Sequence, residues 1–345
     1  MIVMSLNRVQ FARCVMTPPG SGLSKTRRVR SNFHQGSGGL PDAVGFRDNR
    51  LMAARRVYNW VKGIDSLFQA AVVQLNSDSD WERNWLDAES LIRQAVGAGA
   101  AFVATPENTP FLGPHEEKVR RAESLDGATC RAFGALAEEL GIHLLLGSFA
   151  ERSDDPDRCY NTSVLFGPDG AMLAAYRKIH LFDVDVSPEV RFEESATVRA
   201  GSESVVARTE LGGIGLSICY DLRFPALYQS LRNQGAELIM IPSAFTATTG
   251  RDHWHVLVRA RAIETQCFVL AAAQQGRHDD EGLRESFGHS LIVDPWGTVL
   301  AEVEGGAGFA TAEIDLDRVV RVRGQIPVQE HARFEVALGP TPRTD

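Results

Sequence analysis

The chain has 345 residues, 44% apolar and 23% charged, the composition of an ordinary globular protein long enough to bury a core without staples. Its net charge of −8 is uneven: residues 1–63 hold eleven Lys or Arg against two acids, leaving 25 basic and 42 acidic groups in the rest. So acidic a body argues against nucleic acid as a partner, and without a run of 18 apolar residues no membrane-spanning helix is expected.

Residues 1–63 mix Gly, Pro, Ser and Arg without sustained apolar periodicity and read as a poorly ordered basic extension, distinct from a globular body over 64–345. Three readings of the extension stand: an inert tail, an organelle transit peptide, or sequence upstream of the start that is used, with Met52 as that start. The body opens on a buried strand, Phe68–Leu75, and Ser79 with Glu82 has the spacing of a capping box. The helix behind it carries a stripe of Trp81, Trp85, Ala88, Leu91, Ile92 and Ala95. A second strand follows at Ala101–Thr105, then a helix near Cys130–Leu140 and strands at Ile142–Gly147 and Thr162–Phe166. Next come strand Ile214–Cys219, helix Pro225–Asn233, strand Leu238–Ile241 and helix Asp252–Thr265. From Phe268 strands dominate: Phe268–Ala273, His289–Val293, Thr298–Val303 and Ala310–Ile314. Alternating strands and helices make this an α/β protein with sheets covered by helices.

The five cysteines (Cys14, Cys130, Cys159, Cys219 and Cys267) are too few and scattered for a disulfide framework, and none are at C-x-x-C spacing. Cys219 ends a strand and precedes the helix at Pro225, a turn that projects a nucleophile and frees backbone N–H groups. A small buried hydrophobe is the alternative reading of a free cysteine, and Cys267, heading a buried strand, reads as core. A thiol needs an activating neighbour near pH 7. Glu107 follows a buried strand in Thr105-Pro-Glu-Asn108, and Lys178 lies in the half-apolar Tyr176-Arg-Lys-Ile-His-Leu-Phe182. Taken singly, such residues are more often solvated loop and surface groups. His253 and His255, two apart on a helix, face different ways, so no metal site is expected. No GxGxxG or Walker sequence supports a nucleotide cofactor, and no cofactor is expected.

Together, Pro106-Glu107-Asn108, Tyr176-Arg-Lys178-Ile-His-Leu and Ile218-Cys219-Tyr-Asp-Leu-Arg-Phe-Pro225 resemble the nitrilase, or carbon–nitrogen hydrolase, superfamily in motif and in order. The resemblance covers about residues 68–335. It implies an αββα sandwich of two central mixed sheets flanked by helices. It also implies an amidase in which Cys219 forms a thioester, Glu107 moves the proton and Lys178 with a backbone N–H stabilises the oxyanion. A second glutamate matches Glu194, with Glu193 beside it as the alternative.

Arg223, four residues past the thiol, suits a substrate carboxylate, with an ion pair to Asp221 as the alternative. Tyr220 and Thr249 complete the expected binding set, the latter in Thr248-Thr-Gly250 ahead of the helix at His253. These features resemble the branch that handles ω-amides of 2-oxo acids, and within it Arg259–Gln274 and Phe287–Gly297 are most similar to deaminated glutathione amidases. The partner implied is a small amide with a 2-oxo acid end, in a cytoplasmic homo-oligomer. The alternatives are an ω-amidase acting on 2-oxoglutaramate or 2-oxosuccinamate, another small aliphatic amidase or N-carbamoyl hydrolase, and a catalytically idle binding protein.

Overall fold

The computed structural model describes residues 67–187, 190–278 and 285–334, so the expectation of a poorly ordered extension over 1–63 lies outside the described residues. Strand β1 (Leu67–Gln74) leads to helix α1 (Trp81–Gly97) and β2 (Ala100–Ala104). Helices α2 (His115–Arg120) and α3 (Ala128–Leu140) precede β3 (His143–Arg152), β4 (Cys159–Phe166) and β5 (Met172–Arg177). A hairpin of β6 (Asp183–Ser187) and β7 (Val190–Glu193) and the short β8 (Val198–Arg199) close this half. The second half runs β9 (Val205–Thr209), β10 (Gly212–Leu216), α4 (Pro225–Asn233), β11 (Leu238–Met240), α5 (Ala247–Thr265) and β12 (Phe268–Ala271). A hairpin of β13 (Gln275–Arg277) and β14 (Glu285–Phe287) follows, then β15 (Leu291–Val293), β16 (Val299–Glu302), β17 (Gly308–Asp315), α6 (Leu316–Gln325) and α7 (Val328–His331).

Two mixed sheets form the centre. One has the order β17-β1-β2-β3-β4-β5, with β8 beside β4; the other runs β16-β15-β12-β11-β10-β9. In the first, β1, β2 and β3 are parallel while β17 pairs antiparallel with β1, Leu67 opposite Asp315. Helices α1 and α3 cover the outer face of this sheet, α4 and α5 that of the other, and the inner faces meet, as an αββα sandwich requires.

Ala88, Ile92 and Ala95 of α1 pack with Val73, Val103 and Phe133 under the first sheet. The other core joins Val72, Phe102 and Leu145 of the first sheet to Ile214, Met240 and Leu270 of the second. Each large apolar side chain so buried contributes about 1.5–3 kcal/mol. The central strands are nearly uninterrupted apolar runs because both faces are covered.

Several boundaries differ from the expectation. Asp80, not Ser79, caps α1, its carboxylate accepting from the Arg83 N–H at 3.1 Å. Helix α5 starts at Ala247, five residues before Asp252, because Thr246 takes the N-cap position and Thr248, Thr249 and Gly250 enter the first turn. Strand β10 stops at Leu216, three residues short of Cys219. Helix α6 was not anticipated, since charges interrupt its apolar stripe of Leu316, Val319 and Val322.

One close approach positions the site. A Cβ on Gly147 of β3 would meet the carbonyl oxygens of Thr105 and Pro106 at 2.1 Å, so only glycine lets the chain after β2 cross there toward Glu107.

Candidate active site

Glu107 is carried just past β2, Lys178 just past β5, and Cys219 in a 3₁₀ turn (Cys219–Arg223) between β10 and α4. Glu194 sits in a short 3₁₀ turn (Glu194–Ala196) after the β6–β7 hairpin. Residues from both sheets thus converge on one cavity of about 250 Å³.

Lys178 is buried, and its Nζ lies 3.0 Å from Glu107 Oε1 and 3.1 and 2.9 Å from Glu194 Oε1 and Oε2. Its three N–H donors are matched by three carboxylate oxygens. Glu107 Oε1 also accepts from Asn161 Nδ2 at 2.8 Å, and Oε2 from the Ala244 N–H at 2.8 Å. Glu194 Oε2 accepts from the Phe182 N–H at 2.7 Å. The choice between neighbouring glutamates falls to Glu194, for Glu193 points outward with its side chain 61% exposed, near Arg191.

Burial alone pulls Lys178 down, but the Glu107 and Glu194 carboxylates outweigh it and hold the ammonium well above its ordinary value. Burial pushes Glu194 up, yet the Lys178 and Lys118 charges and two hydrogen bonds win, leaving it below the usual carboxylate range. Burial and the facing Glu107 carboxylate both push the Cys219 thiol well above its ordinary value, with Lys178 opposing. The thiol is therefore neutral near pH 7 and needs a base to become a nucleophile.

Cys219 has φ +46°, a left-handed conformation that costs a non-glycine residue of order 1–3 kcal/mol and is held only by surroundings that fix it. Asp221, fully buried, provides the fixing. Its Oδ2 accepts from Tyr176 Oη at 2.7 Å and the Ile218 N–H at 2.8 Å. Its Oδ1 accepts from the His180 N–H at 3.1 Å and His180 Nδ1 at 2.7 Å. The Cys219 N–H donates to Pro242 O at 2.9 Å. Asp221 thereby ties the thiol turn to the segment that carries Lys178.

The binding residues fare less evenly. Tyr220 lines the cavity, packed edge-on against Phe182 and Phe224. Thr249 also lines it, although its hydroxyl is engaged with that of Thr246 at 2.8 Å. Arg223 does not face the cavity. Its guanidinium lies over the Phe245 ring, 5.0 Å from the centroid, and 3.2 Å from His253 Nδ1, so neither the substrate position nor the Asp221 ion pair holds. His255 is apart from His253, bonded to Glu302 at 2.9 Å, which His289 also contacts at 2.6 Å. Cys267 is core.

Sequence reasoning missed Asn161, Asp221 as an anchor, and three further charged residues bordering the cavity, buried Lys118 and exposed Arg251 and Glu285. Only the i, i+2 spacing from Cys219 could have flagged Asp221.

Comparison with known proteins agrees with this arrangement. The carbon–nitrogen hydrolase family model matches residues 69–324. A deaminated glutathione amidase from Synechocystis is 43% identical over 270 residues, covering 77% of this chain and 98% of that protein. The deaminated glutathione amidase of Homo sapiens is 43% identical over 269 residues, 76% of this chain and 81% of that one. Among solved structures, Saccharomyces cerevisiae Nit3, of branch 10 of the nitrilase superfamily, superposes with a TM-score of 0.70 at 30% identity, covering 79% and 98% of the two chains. Among the described residues no helix is long and apolar enough to cross a membrane.

Proposed function

Since the chain belongs to the carbon–nitrogen hydrolase family, we propose that it is an amidase that hydrolyses deaminated glutathione to 2-oxoglutarate and cysteinylglycine through a thioester on Cys219. The observation that carries the mechanism is a buried thiol, held at positive φ, in one cavity with a carboxylate that a buried ammonium orients. Glu107 takes the thiol proton as Sγ attacks the amide carbonyl carbon. Lys178 stabilises the oxyanion by its charge, and releasing one of its two bonds to Glu194 frees an N–H for that oxygen. The Tyr220 N–H, at the start of the 3₁₀ turn, supplies a second donor. Glu107 then gives its proton to the departing nitrogen, the C–N bond breaks and cysteinylglycine leaves. Water, deprotonated by Glu107, attacks the thioester, releasing 2-oxoglutarate and restoring the thiol. Glu194 and Asn161 position Lys178 and Glu107.

The test is an amide panel of deaminated glutathione, 2-oxoglutaramate, glutamine, asparagine and an aliphatic nitrile. Deaminated glutathione should give the highest kcat/KM, and intact-protein mass should rise by one 2-oxoglutaryl group on Cys219. Cys219→Ala should show neither turnover nor adduct while keeping its melting temperature. Turnover by that variant would end the mechanism; absence of any amide hydrolysis would favour an idle binding protein. A homo-oligomer in the cytoplasm is part of the same reading, supported by exposed Val256 and Ile263 on α5 and by the four free thiols among the described residues, which suit a reducing compartment.

A further inference from the structure

With Arg223 turned away, the cavity must find another partner for an anionic substrate. Lys178 cannot serve, because Glu107 and Glu194 take its three donors and the one it can release goes to the oxyanion. Arg251 borders the cavity but is exposed, where a charge pair contributes little. Lys118 differs from both. It sits on α2, lines the cavity and is only 8% exposed. Among the described residues its ammonium has no hydrogen bond or ion pair, although its charge reaches Glu194. Its side chain is packed away while its Nζ is not among the fully buried unpartnered atoms, so the ammonium stays open to an anion in the cavity it lines.

We propose that Lys118 is the specificity-determining residue that binds the carboxylate at the 2-oxo acid end of the substrate. This rests on the amidase reading above. The acyl half stays in the cavity as the thioester while the amine departs, so its carboxylate, four bonds from the scissile carbonyl, needs an interior cation. A neutral amide leaves Lys118 unanswered, and sites with an unpaired buried polar group reject such analogues. Without Lys118 the interior would hold two carboxylates, Glu107 and Glu194, against one ammonium, and would repel the substrate's own charge.

The rival role, neutralising Glu194, acts on every amide alike, so paired substrates separate the two. The full-length protein and Lys118→Met are compared on 2-oxoglutaramate and on 4-oxopentanamide, which has a methyl in place of the carboxylate. Calorimetry measures 2-oxoglutarate binding to the same proteins. Removing a charge-assisted bond should raise KM for 2-oxoglutaramate and Kd for 2-oxoglutarate about 10- to 100-fold. On that substrate kcat, and on 4-oxopentanamide kcat/KM, should stay within about twofold. Lys118→Arg should restore most of the binding. Equal losses on both amides, carried by kcat, would overturn the proposal in favour of Glu194 neutralisation; so would unchanged 2-oxoglutarate binding, or none to the unaltered protein. If the unaltered protein binds 2-oxoglutarate yet hydrolyses no amide, the amidase reading fails while the binding comparison still judges Lys118. If the methionine variant does not fold, Lys118→Gln replaces it in the same measurements.

Discussion

Replacing Asp221 by Asn probes how the nucleophile turn is held, because it exchanges one carboxylate oxygen for a donor without changing volume. The four groups around Asp221 all point a hydrogen or ring nitrogen at it. Whichever way the Asn amide turns, its NH₂ faces either the Ile218 or the His180 backbone N–H. One buried N–H then loses its acceptor, which costs about 1–3 kcal/mol, and the remaining bonds lose their charge assistance, worth about 1–2 kcal/mol more. A total of roughly 2–5 kcal/mol is a large part of the 5–15 kcal/mol that typical domains possess. At about 2–4 °C per kcal/mol for a body of this size, the melting temperature should fall by roughly 4–20 °C. Displacement of the Cys219 turn relative to Lys178 by about 1 Å should lower kcat on the order of 10²-fold while KM moves little. Tyr176→Phe, which removes one donor and leaves the backbone bonds intact, should do both more mildly. The assays are thermal unfolding followed by circular dichroism and steady-state hydrolysis of the preferred amide. A variant that melts within a degree or two of the parent and keeps its kcat would refute the idea that Asp221 sets the turn.

Lys178→Met should reduce kcat by at least about 10²–10³-fold in the same assay, since it removes an oxyanion stabiliser and leaves Glu107 and Glu194 facing each other. Glu194, ionised more readily folded than unfolded, contributes stability that is present above the unfolded carboxylate value of about 4.3 and lost as pH falls through its lower folded value. In urea titrations at stepped pH, the stability gap between the parent and Glu194→Gln should therefore narrow below about pH 4.3; a gap independent of pH would contradict it. Gly147→Ala forces a Cβ into the Thr105 and Pro106 carbonyls and should lower both melting temperature and kcat, read by unfolding and hydrolysis together.

The residues of the reacting cluster were legible because each lies in a short local motif, and Glu107, Lys178, Glu194 and Cys219 converge as expected. Asn161 was not, since it sits mid-strand in β4 among buried neighbours and reaches Glu107 only through the pairing of β3, β4 and β5. Arg223 misled for a related reason. Proximity to Cys219 in sequence says nothing about side-chain direction in a 3₁₀ turn, where each residue advances about a third of a turn. Lys118 looked like one more charge in His115-Glu-Glu-Lys-Val-Arg120, and only its burial sets it apart. The layered architecture followed from alternating strands and helices together with family resemblance, whereas the three-residue strands of the hairpin β13–β14 are too short to show a period.

Pairing of β1 with β17 has a consequence on the ribosome. Leu67–Gln74 emerges early, but its antiparallel neighbour, Gly308–Asp315, is made about 240 residues later. At about 5–20 residues per second, one edge of β1 waits roughly ten seconds to a minute for its mate. During that interval the nascent chain shows an apolar, unpaired strand, Ala-Ala-Val-Val at its centre, of the kind that recruits other strands. Glu107, Lys178 and Cys219 are all synthesised before this seam closes. A message cut short between residues 219 and 308 would yield a chain holding every one of these groups with β1 left bare on one side, a substrate for chaperones rather than an enzyme.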